Sequence, residues 1–289
     1  MLRDSTIVFI IAVASVIIIA IAAMERRNYN KAPKIIWTYW DDPDKIPKTV
    51  KMCMEGWKKY NPDYEIILLT RKNYKGYINI PLHITAQYNF TDSPARFSDL
   101  LRLWALTEHG GVWCDSSIIL KAPLNDWLFP KYAEFSGFYI DSFTKNKDFP
   151  VIESWFLAAN KGSKFIKAWR DEFTEMAKFV TVDAYINSRK KMGVDFQGIS
   201  NPHYLAIHVA AQKVLQIDKY PRDTLILRKA EDGPFKYLVE AKWDSGKALQ
   251  LACSNQKYQT PIMKMRGDER NALEKRIDYD LSVEMCGWV

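Results

Sequence analysis

The amino-acid sequence predicts an α/β fold that follows one membrane-spanning segment. Strand-like and helix-like patterns alternate along most of the 289 residues, which is typical of a sheet covered by helices. Apolar residues make up 48% of the chain, which excludes a disordered protein. The length allows one large domain or two small ones. Four cysteines without a CxxC pair exclude a disulfide scaffold and give no pattern for a structural zinc site.

The first apolar segment covers residues 7–23 and contains no charged residue, proline or glycine. As a helix it would be about 26 Å long, enough for a thin hydrocarbon core. A cleaved signal peptide with Ala20 and Ala22 at its cleavage site is one alternative. A buried soluble helix is another, although it requires a polar face that the segment lacks. The predicted organisation is a tail (1–6), an anchor (7–23), a linker (24–33) and one domain (34–289).

The charges that flank this segment predict its orientation. Arg3 precedes it, and four basic residues follow it: Arg26, Arg27, Lys31 and Lys34. The positive-inside rule then favours a single-pass membrane protein with its main domain in the cytosol. The alternative is a type II protein with its domain in the Golgi lumen, where the glycosylation acceptor sequence at Asn89 would matter.

The predicted domain begins with a strand–helix–strand unit. Residues 34–40 form an apolar run typical of a buried strand, which a loop rich in Asp and Pro ends. Residues 49–60 have helical spacing, and residues 64–69 form a second apolar strand. Such a unit usually pairs its two strands in parallel.

The most strongly marked helix comes next. Ser93 is a natural N-cap, Pro94 takes the first helical position, and Gly110 and Gly111 end the helix. Its apolar stripe recurs at i, i+3, i+4 and i+7, with Phe97, Leu100, Leu101 and Trp104. Residues 112–114 have the pattern of a short buried strand that ends at Asp115, and residues 118–120 lead away from it.

The rest of the chain continues the alternation. Strands are predicted at residues 153–158, 224–227 and 235–238, and helices at residues 163–180, 201–215 and 268–276. No internal repeat or low-complexity tract interrupts them. We therefore expect the same α/β class to extend to the end of the chain.

Three polar residues of the marked helix share one face. Arg96, Asp99 and Arg102 are three residues apart, and at about 100° per residue they lie opposite the apolar stripe. Ligands of open α/β sheets bind at the carboxyl ends of strands, where Asp115 is predicted. The pattern therefore brings a carboxylate and an Asp/Arg helix face toward one crevice. A solvated ion-pair stripe with an ordinary strand-ending aspartate is the alternative interpretation.

Residues 98–117, SDLLRLWALTEHGGVWCDSS, closely resemble the core motif of the sugar-binding-region glycosyltransferases. That family includes the capsular polysaccharide synthesis proteins, the yeast initiating mannosyltransferase and the large clostridial glucosylating toxins. Its pattern is a Ser-Asp-x-x-Arg helix, a Gly-Gly turn and a strand ending in Asp-x-Asp. Residues 115–117 are most similar to the Asp-Ala-Thr version of the capsular branch. Further segments resemble the family in the right order: residues 33–40, 57–65, 153–162, 233–234 and 264–270.

The resemblance implies a glycosyltransferase-A type, Rossmann-like nucleotide-binding fold with a mixed central sheet. It implies a membrane-anchored enzyme of glycan biosynthesis that transfers a sugar from a UDP- or GDP-linked donor to a glycan or polysaccharide acceptor, usually with retention. By their positions in the motif, Asp99 and Arg102 would hold sugar hydroxyls and the diphosphate side. Asp115 would bind the ribose or a metal ion. These three are the predicted catalytic residues.

Further residues are predicted to line the donor site. An aromatic ring after the first strand would stack on the base, with Trp40 as the first candidate and Trp37 or Tyr39 as alternatives. Lys264, Arg266 and Arg270 are candidate cations for the leaving diphosphate, and a solvated basic face is the alternative. The predicted donor-binding set is Trp37, Thr38, Tyr39, Trp40, Arg96, Ser98, Ser117, Lys264 and Arg270.

Ser117 stands where the family motif has its second Asp. A hydroxyl is a poorer ligand than a carboxylate for Mn²⁺ or Mg²⁺. Three interpretations stay open. In the first, Asp115 and Ser117 hold Mn²⁺ or Mg²⁺ together with the diphosphate and a third ligand such as His208. In the second, Lys or Arg side chains replace the metal, and in the third the chain is inactive. A lone histidine on a helix is more often structural than a ligand, and this alternative applies to His208.

Other features give weaker signals of function. Glu153 is expected under the sugar or the acceptor, or else is an ordinary strand-edge charge, and residues 286–288 are a candidate cap on the donor site. The competing function is a degenerate transferase that binds a nucleotide sugar or glycan without turnover. A nucleic-acid partner is not expected, because no Lys/Arg-rich helix with interleaved aromatics accompanies the net charge of +7. The sequence makes no prediction of oligomeric state.

Overall fold

The computed structural model describes residues 32–128, 133–254 and 260–277. The strands are β1 (Ile35–Tyr39), β2 (Glu65–Leu69), β3 (Gly111–Cys114), β4 (Ile118–Leu120), β5 (Phe135–Tyr139), β6 (Ile152–Ala159), β7 (Leu225–Lys229) and β8 (Ile262–Lys264). The α-helices are α1 (Lys48–Tyr60), α2 (Leu82–Thr85), α3 (Tyr88–Thr91), α4 (Pro94–Glu108), α5 (Leu124–Trp127), α6 (Lys164–Thr174), α7 (Val182–Lys191), α8 (Ala206–Gln216), α9 (Lys236–Glu240), α10 (Ser245–Ser254) and α11 (Gly267–Ile277). Short 3-10 helices cover Pro43–Lys45, Tyr74–Gly76, Glu175–Lys178 and Ala230–Asp232.

Six strands form a mixed central sheet in the order β2-β1-β3-β6-β5-β7. β1 pairs in parallel with both β2 and β3, so the carboxyl ends of these three strands lie at one edge. β6 runs antiparallel to β3 and to β5, and β7 is parallel to β5. The predicted α/β class with a mixed sheet is therefore confirmed, as is the parallel pairing of the first two strands.

A second, two-stranded sheet lies beside the carboxyl edge. β4 and β8 pair antiparallel, with Ile118 opposite Lys264. The Met265 amide extends this pairing by donating to the Ser117 carbonyl at 3.0 Å. The pairing brings residues from the last part of the described chain next to the segment that follows β3, which the sequence pattern did not predict.

Helix α4 begins and ends as predicted. The Ser93 hydroxyl accepts a hydrogen bond from the Arg96 amide at 3.2 Å, and Pro94 takes the first position. Gly110 and Gly111 then turn the chain into β3 with φ of +72° and +97°. A Cβ atom at Gly111 would lie 2.7 Å from the carbonyl oxygen of Ile35. Only glycine fits there, because it combines a left-handed backbone with close contact to β1.

Several boundaries differ from the prediction. Residues 235–238, predicted as a strand, form the start of α9, whose Val239 amide donates to the Phe235 carbonyl. A short apolar run does not distinguish a strand from a helix. The helix predicted over 163–180 ends at Thr174 and continues as a 3-10 turn, and the helix predicted over 201–215 begins at Ala206.

Two predicted features lie outside the described residues: the membrane anchor at 7–23 and the candidate cap at 286–288. Within the described ranges, no helix is long and apolar enough to cross a membrane.

Candidate active site

Asp115 stands at the carboxyl end of β3, and both of its carboxylate oxygens are bound. Oδ1 accepts hydrogen bonds from the Trp113 indole at 3.0 Å and from Arg102 Nη2 at 3.3 Å. Oδ2 accepts one from Lys264 Nζ at 3.0 Å. The side chain keeps 25% of its surface exposed, so a ligand can still reach it.

Arg102 links α4 to β3 and β6. Its Nη1 donates to the Ser154 carbonyl at 2.6 Å and to the Ser154 hydroxyl at 2.7 Å, and Nη2 donates to the Ser98 hydroxyl at 3.0 Å. Nη2 also lies 3.2 Å from Asp99 Oδ1. Because the guanidinium is 6% exposed, these contacts fix it in one position. Its neighbours Arg96 and Asp99 are also buried. The alternative of a solvated ion-pair stripe is therefore wrong.

The two aspartates of the site have opposite pKa shifts. Burial raises the pKa of Asp99 above its ordinary value, and the nearby charges of Arg102 and His208 offset this only in part. Burial also acts to raise the pKa of Asp115, but Lys264 and then Arg102 outweigh it and hold that pKa below its ordinary value. Asp115 is therefore the firmly ionised carboxylate of the pair.

A second polar group lies near Asp99. His208 of α8 places Nε2 3.6 Å from Glu153 Oε2 of β6, and both side chains are almost buried. No hydrogen-bond partner for the buried His208 Nδ1 is found in the described part of the chain. Tyr204 lies close by, since its pKa is raised by desolvation first and then by Asp99 and Asp115. The residue keeps 57% of its surface exposed, so its burial is only partial. The sequence analysis did not single out Tyr204.

Lys264 completes the site from β8. Its ammonium donates to Asp115 Oδ2 at 3.0 Å and to the Ser117 hydroxyl at 3.1 Å. The Ser117 hydroxyl in turn donates to the Met265 carbonyl at 2.9 Å. The predicted residues Asp99, Arg102, Asp115, Ser117 and Lys264 are thus joined by one chain of contacts, together with Ser98.

The predicted metal ligands do not form a donor set for a divalent cation. Ser117 offers a hydroxyl that is already engaged, both Asp115 oxygens are bound to cations or an indole, and the contact that His208 makes is with Glu153. In the three described ranges, no group of three or more His, Cys, Asp or Glu side chains could hold a metal ion. A divalent cation here would have one protein carboxylate, that of Asp115, and would have to take its other ligands from water and the diphosphate. Lys264 and Arg102 already occupy the Asp115 oxygens, so the described residues do not offer a preformed site for either ion.

The aromatic candidates in β1 are buried in the core, whereas the candidate that follows the strand is only partly buried. Trp37 is 2% exposed, and its indole donates to the Gly110 carbonyl at 3.0 Å. Thr38 and Tyr39 are also buried, and the Tyr39 hydroxyl donates to Asp41. Trp40 is half-buried, and the Arg270 guanidinium lies 5.3 Å from its ring centre. Of the predicted stacking residues, Trp40 alone therefore has a partly open ring.

Two predicted cations have structural partners. Arg96 donates to the carbonyls of Asn89 at 3.4 Å and His203 at 2.8 Å, so it holds the segment before α8. Arg266 pairs with Glu269 at 2.6 Å. Both guanidinium groups are therefore bound within the protein.

Sequence reasoning missed a cation at the same edge of the sheet. Arg71 lies two residues after the end of β2, and its Nε donates to Asp41 Oδ1 at 2.7 Å. Burial would raise the pKa of Asp41, but its bonds with Tyr39 and Arg71 bring it below its ordinary value. The position of Arg71 just after a parallel strand was the available signal.

The fold and this site define an α/β protein with a buried Asp/Arg/Lys cluster at the carboxyl ends of parallel strands. Residues 3–182 match the model of the capsular polysaccharide synthesis protein family. The match covers more than half of the chain, so the chain belongs to this family.

The curated relative "O-glycosyltransferase braB" of Annulohypoxylon truncatum is 25% identical over 173 residues. The match covers 54% of this chain and 40% of that protein, so the chain spans two fifths of the relative's length. Among solved structures, a glycosyltransferase involved in the glycosylation of the major capsid of PBCV-1 is 11% identical with a TM-score of 0.44, covering 85% of this chain and 98% of that one. The galactosyltransferase LgtC, in complex with donor and acceptor sugar analogues, is 11% identical with a TM-score of 0.43, covering 88% and 95%.

Proposed function

We propose that this chain is a glycosyltransferase of the glycosyltransferase-A type that transfers a sugar from a UDP- or GDP-linked donor to a glycan or polysaccharide acceptor. The observation that carries the proposal is the buried connection of Asp99, Arg102 and Asp115 at the carboxyl ends of β1, β2 and β3. Membership of the capsular polysaccharide synthesis protein family and similarity to a curated O-glycosyltransferase support it.

The proposed sugar pocket lies between Asp99 and Glu153. Carboxylate oxygens accept hydrogen bonds from sugar hydroxyls, and both side chains are about 12% exposed. In a site that excludes water, such bonds also select the hydroxyl pattern, because a sugar that lacks one leaves a buried acceptor unpaired. His208, with its unbonded Nδ1, is available as a further partner for a hydroxyl.

The proposed nucleotide position lies along the same sheet edge toward β1 and β2. The Trp40 ring is the proposed stacking surface for the base, and Arg270 supplies positive charge beside it. Arg71, which is paired with Asp41, is a further cation at this edge. The diphosphate then lies between this edge and Lys264. Catalysis would consist of positioning the two substrates and stabilising the charge that develops on the diphosphate.

Two finer features belong to this proposal. Retention at the anomeric carbon rests on the family resemblance, and the configuration of the product measured by NMR tests it. Anchoring by residues 7–23 with a cytosolic domain rests on the apolar run and its flanking charges. Protease protection in sealed vesicles, with a Golgi-lumenal domain as the alternative outcome, tests the orientation.

The test is the release of UDP or GDP by the full-length protein from a panel of nucleotide sugars, with and without glycan acceptors. We expect release from at least one donor, with a loss of at least about tenfold in kcat/KM for Asp99→Asn. Asp126→Asn, a matched change at an exposed position of α5, should leave the rate unchanged. Nucleotide-sugar binding without release would instead favour the degenerate binding protein. Absence of both would reject the donor site.

A further inference from the structure

We propose that the Lys264 ammonium replaces the divalent cation at this site and stabilises the leaving nucleoside diphosphate. This inference rests on the proposed glycosyltransferase function. It starts from the position of Nζ, which bridges Asp115 Oδ2 at 3.0 Å and the Ser117 hydroxyl at 3.1 Å. These are the first and third residues of the Asp-Ser-Ser segment, so the ammonium lies between the two side chains that an Asp-x-Asp motif would offer to a metal.

The backbone of Lys264 is held on both sides. Its amide donates to the Pro234 carbonyl at 3.1 Å, and its carbonyl accepts the Tyr237 hydroxyl at 2.6 Å. The next amide, of Met265, donates to the Ser117 carbonyl at 3.0 Å. The side chain is 11% exposed. The ammonium is therefore fixed in advance, as required of a charge that stabilises a developing anion without reorganising.

The cation positions around Asp115 are already filled. Arg102 and Lys264 lie within 3.3 Å of its oxygens, and Arg102 is also paired with Asp99 at 3.2 Å, so two carboxylates face two cations. A divalent cation at Asp115 would have to displace Lys264 or lie beside it, at an unfavourable Coulomb energy. A diphosphate that approaches Lys264 would instead meet a favourable charge.

The sugar transfer that Lys264 would assist balances in atoms and electrons without a metal ion. The bond between the anomeric carbon and the β-phosphate oxygen breaks, and its electron pair stays on that oxygen. The acceptor hydroxyl forms the new bond to the anomeric carbon, and its proton passes to the released diphosphate or to water. Lys264 stabilises the additional negative charge on the phosphate oxygen.

The first arm of the test measures activity in the full-length protein. We expect release of UDP or GDP from the preferred donor to stay within about twofold when EDTA replaces Mn²⁺. Lys264→Met should lower kcat by at least about 100-fold, and Lys264→Arg should retain part of the lost rate. The control Lys58→Met, at an exposed position of α1, should leave kcat unchanged. A rate that falls at least about tenfold in EDTA and returns with Mn²⁺ would overturn the proposal.

The second arm does not depend on turnover, so the two proposals fail separately. Mn²⁺ binding is followed by electron paramagnetic resonance, with the full-length protein alone and with UDP or GDP. We expect no protein-dependent Mn²⁺ binding beyond that of the free nucleotide. Mn²⁺ binding that Asp115→Asn removes would overturn the role of Lys264 even if no donor is turned over. Absence of turnover in every metal condition would reject the glycosyltransferase function, and this binding arm would still decide the metal question.

Discussion

The Lys264 ammonium lies 3.0 Å from Asp115 Oδ2, and this contact joins two side chains 149 positions apart. It connects the end of a central strand to the small sheet formed by β4 and β8. Asp115 therefore contributes to the stability of the fold as well as to the proposed donor site. Its interaction with Lys264 and Arg102 is also the main reason for its lowered pKa.

That lowered pKa predicts an acid-dependent part of the stability. A carboxylate whose pKa is lower in the folded state stabilises the protein above the unfolded pKa, and the stabilisation is lost as pH falls through the folded pKa. Asp115→Asn should lower the free energy of unfolding by about 1.5–3 kcal/mol near neutral pH. The difference in free energy of unfolding between wild type and this variant should decrease as Asp115 becomes protonated. Urea unfolding from about pH 7 to about pH 2 measures this difference, and a difference that stays constant below about pH 4 would contradict the pairing.

The Gly110–Gly111 turn predicts a steric cost at a known position. Gly111→Ala should destabilise the protein by about 2 kcal/mol or more, because it adds a contact of 2.7 Å with the Ile35 carbonyl to the strain of a positive φ. Gly162→Ala has a positive φ but no atom within 4 Å of the new Cβ, so about 1 kcal/mol is expected. Equal losses in thermal or urea unfolding would show that the contact with β1 is unimportant.

A buried ion pair that makes no contact with the proposed donor-site residues predicts a loss of stability. Arg189 Nε lies 2.6 Å from Glu172 Oε1, and both side chains are 4% exposed. Glu172→Gln leaves the guanidinium without its charge partner and should cost about 3–5 kcal/mol. The matched change Glu175→Gln removes the exposed pair with Lys178 and should cost about 0–1 kcal/mol. Urea unfolding compares them, and similar losses would contradict the burial argument.

Restoring the family motif predicts a gain of metal dependence. The double variant Ser117→Asp, Lys264→Ser provides the two carboxylates of Asp-x-Asp and removes the ammonium between them. We expect nucleotide release by this variant to require Mn²⁺ and to fall at least about tenfold in EDTA, because two carboxylates suit a hard divalent cation. Ser117→Asp alone keeps Lys264 and should remain insensitive to EDTA. A double variant that is equally insensitive would argue against a cation position between residues 117 and 264.

Much of the fold could be predicted because its signals are local. The cap at Ser93, the helical spacing after Pro94 and the glycine pair defined α4 and the start of β3, and the structure has both. The strand–helix–strand pattern also predicted the parallel pairing of β1 and β2. Strand β5 was missed, because its interior Ser136 and Gly137 weaken an apolar run whose partners β6 and β7 lie far along the chain.

In the candidate site, too, only the residues that local patterns mark could be predicted. Helical spacing placed Asp99 and Arg102 on one face, and strand-end position singled out Asp115. Whether that face was buried or solvated could not be predicted, because it depends on Ser154 of β6, which binds Arg102. The spatial position of Lys264 depends on the pairing of β8 with β4, and no local pattern encodes it. Burial of Trp37 likewise follows from long-range packing against Tyr77 and His109.

The most direct measurement is the affinity of nucleotide sugars for the full-length protein by calorimetry in EDTA. Wild type and Asp126→Asn should bind at least one UDP- or GDP-sugar with the same Kd. Asp99→Asn should weaken that binding by at least about tenfold, equivalent to about 1.4 kcal/mol. Binding that requires Mn²⁺ would contradict the role of Lys264. The absence of binding to any donor, or binding that Asp99→Asn leaves unchanged, would contradict the site itself.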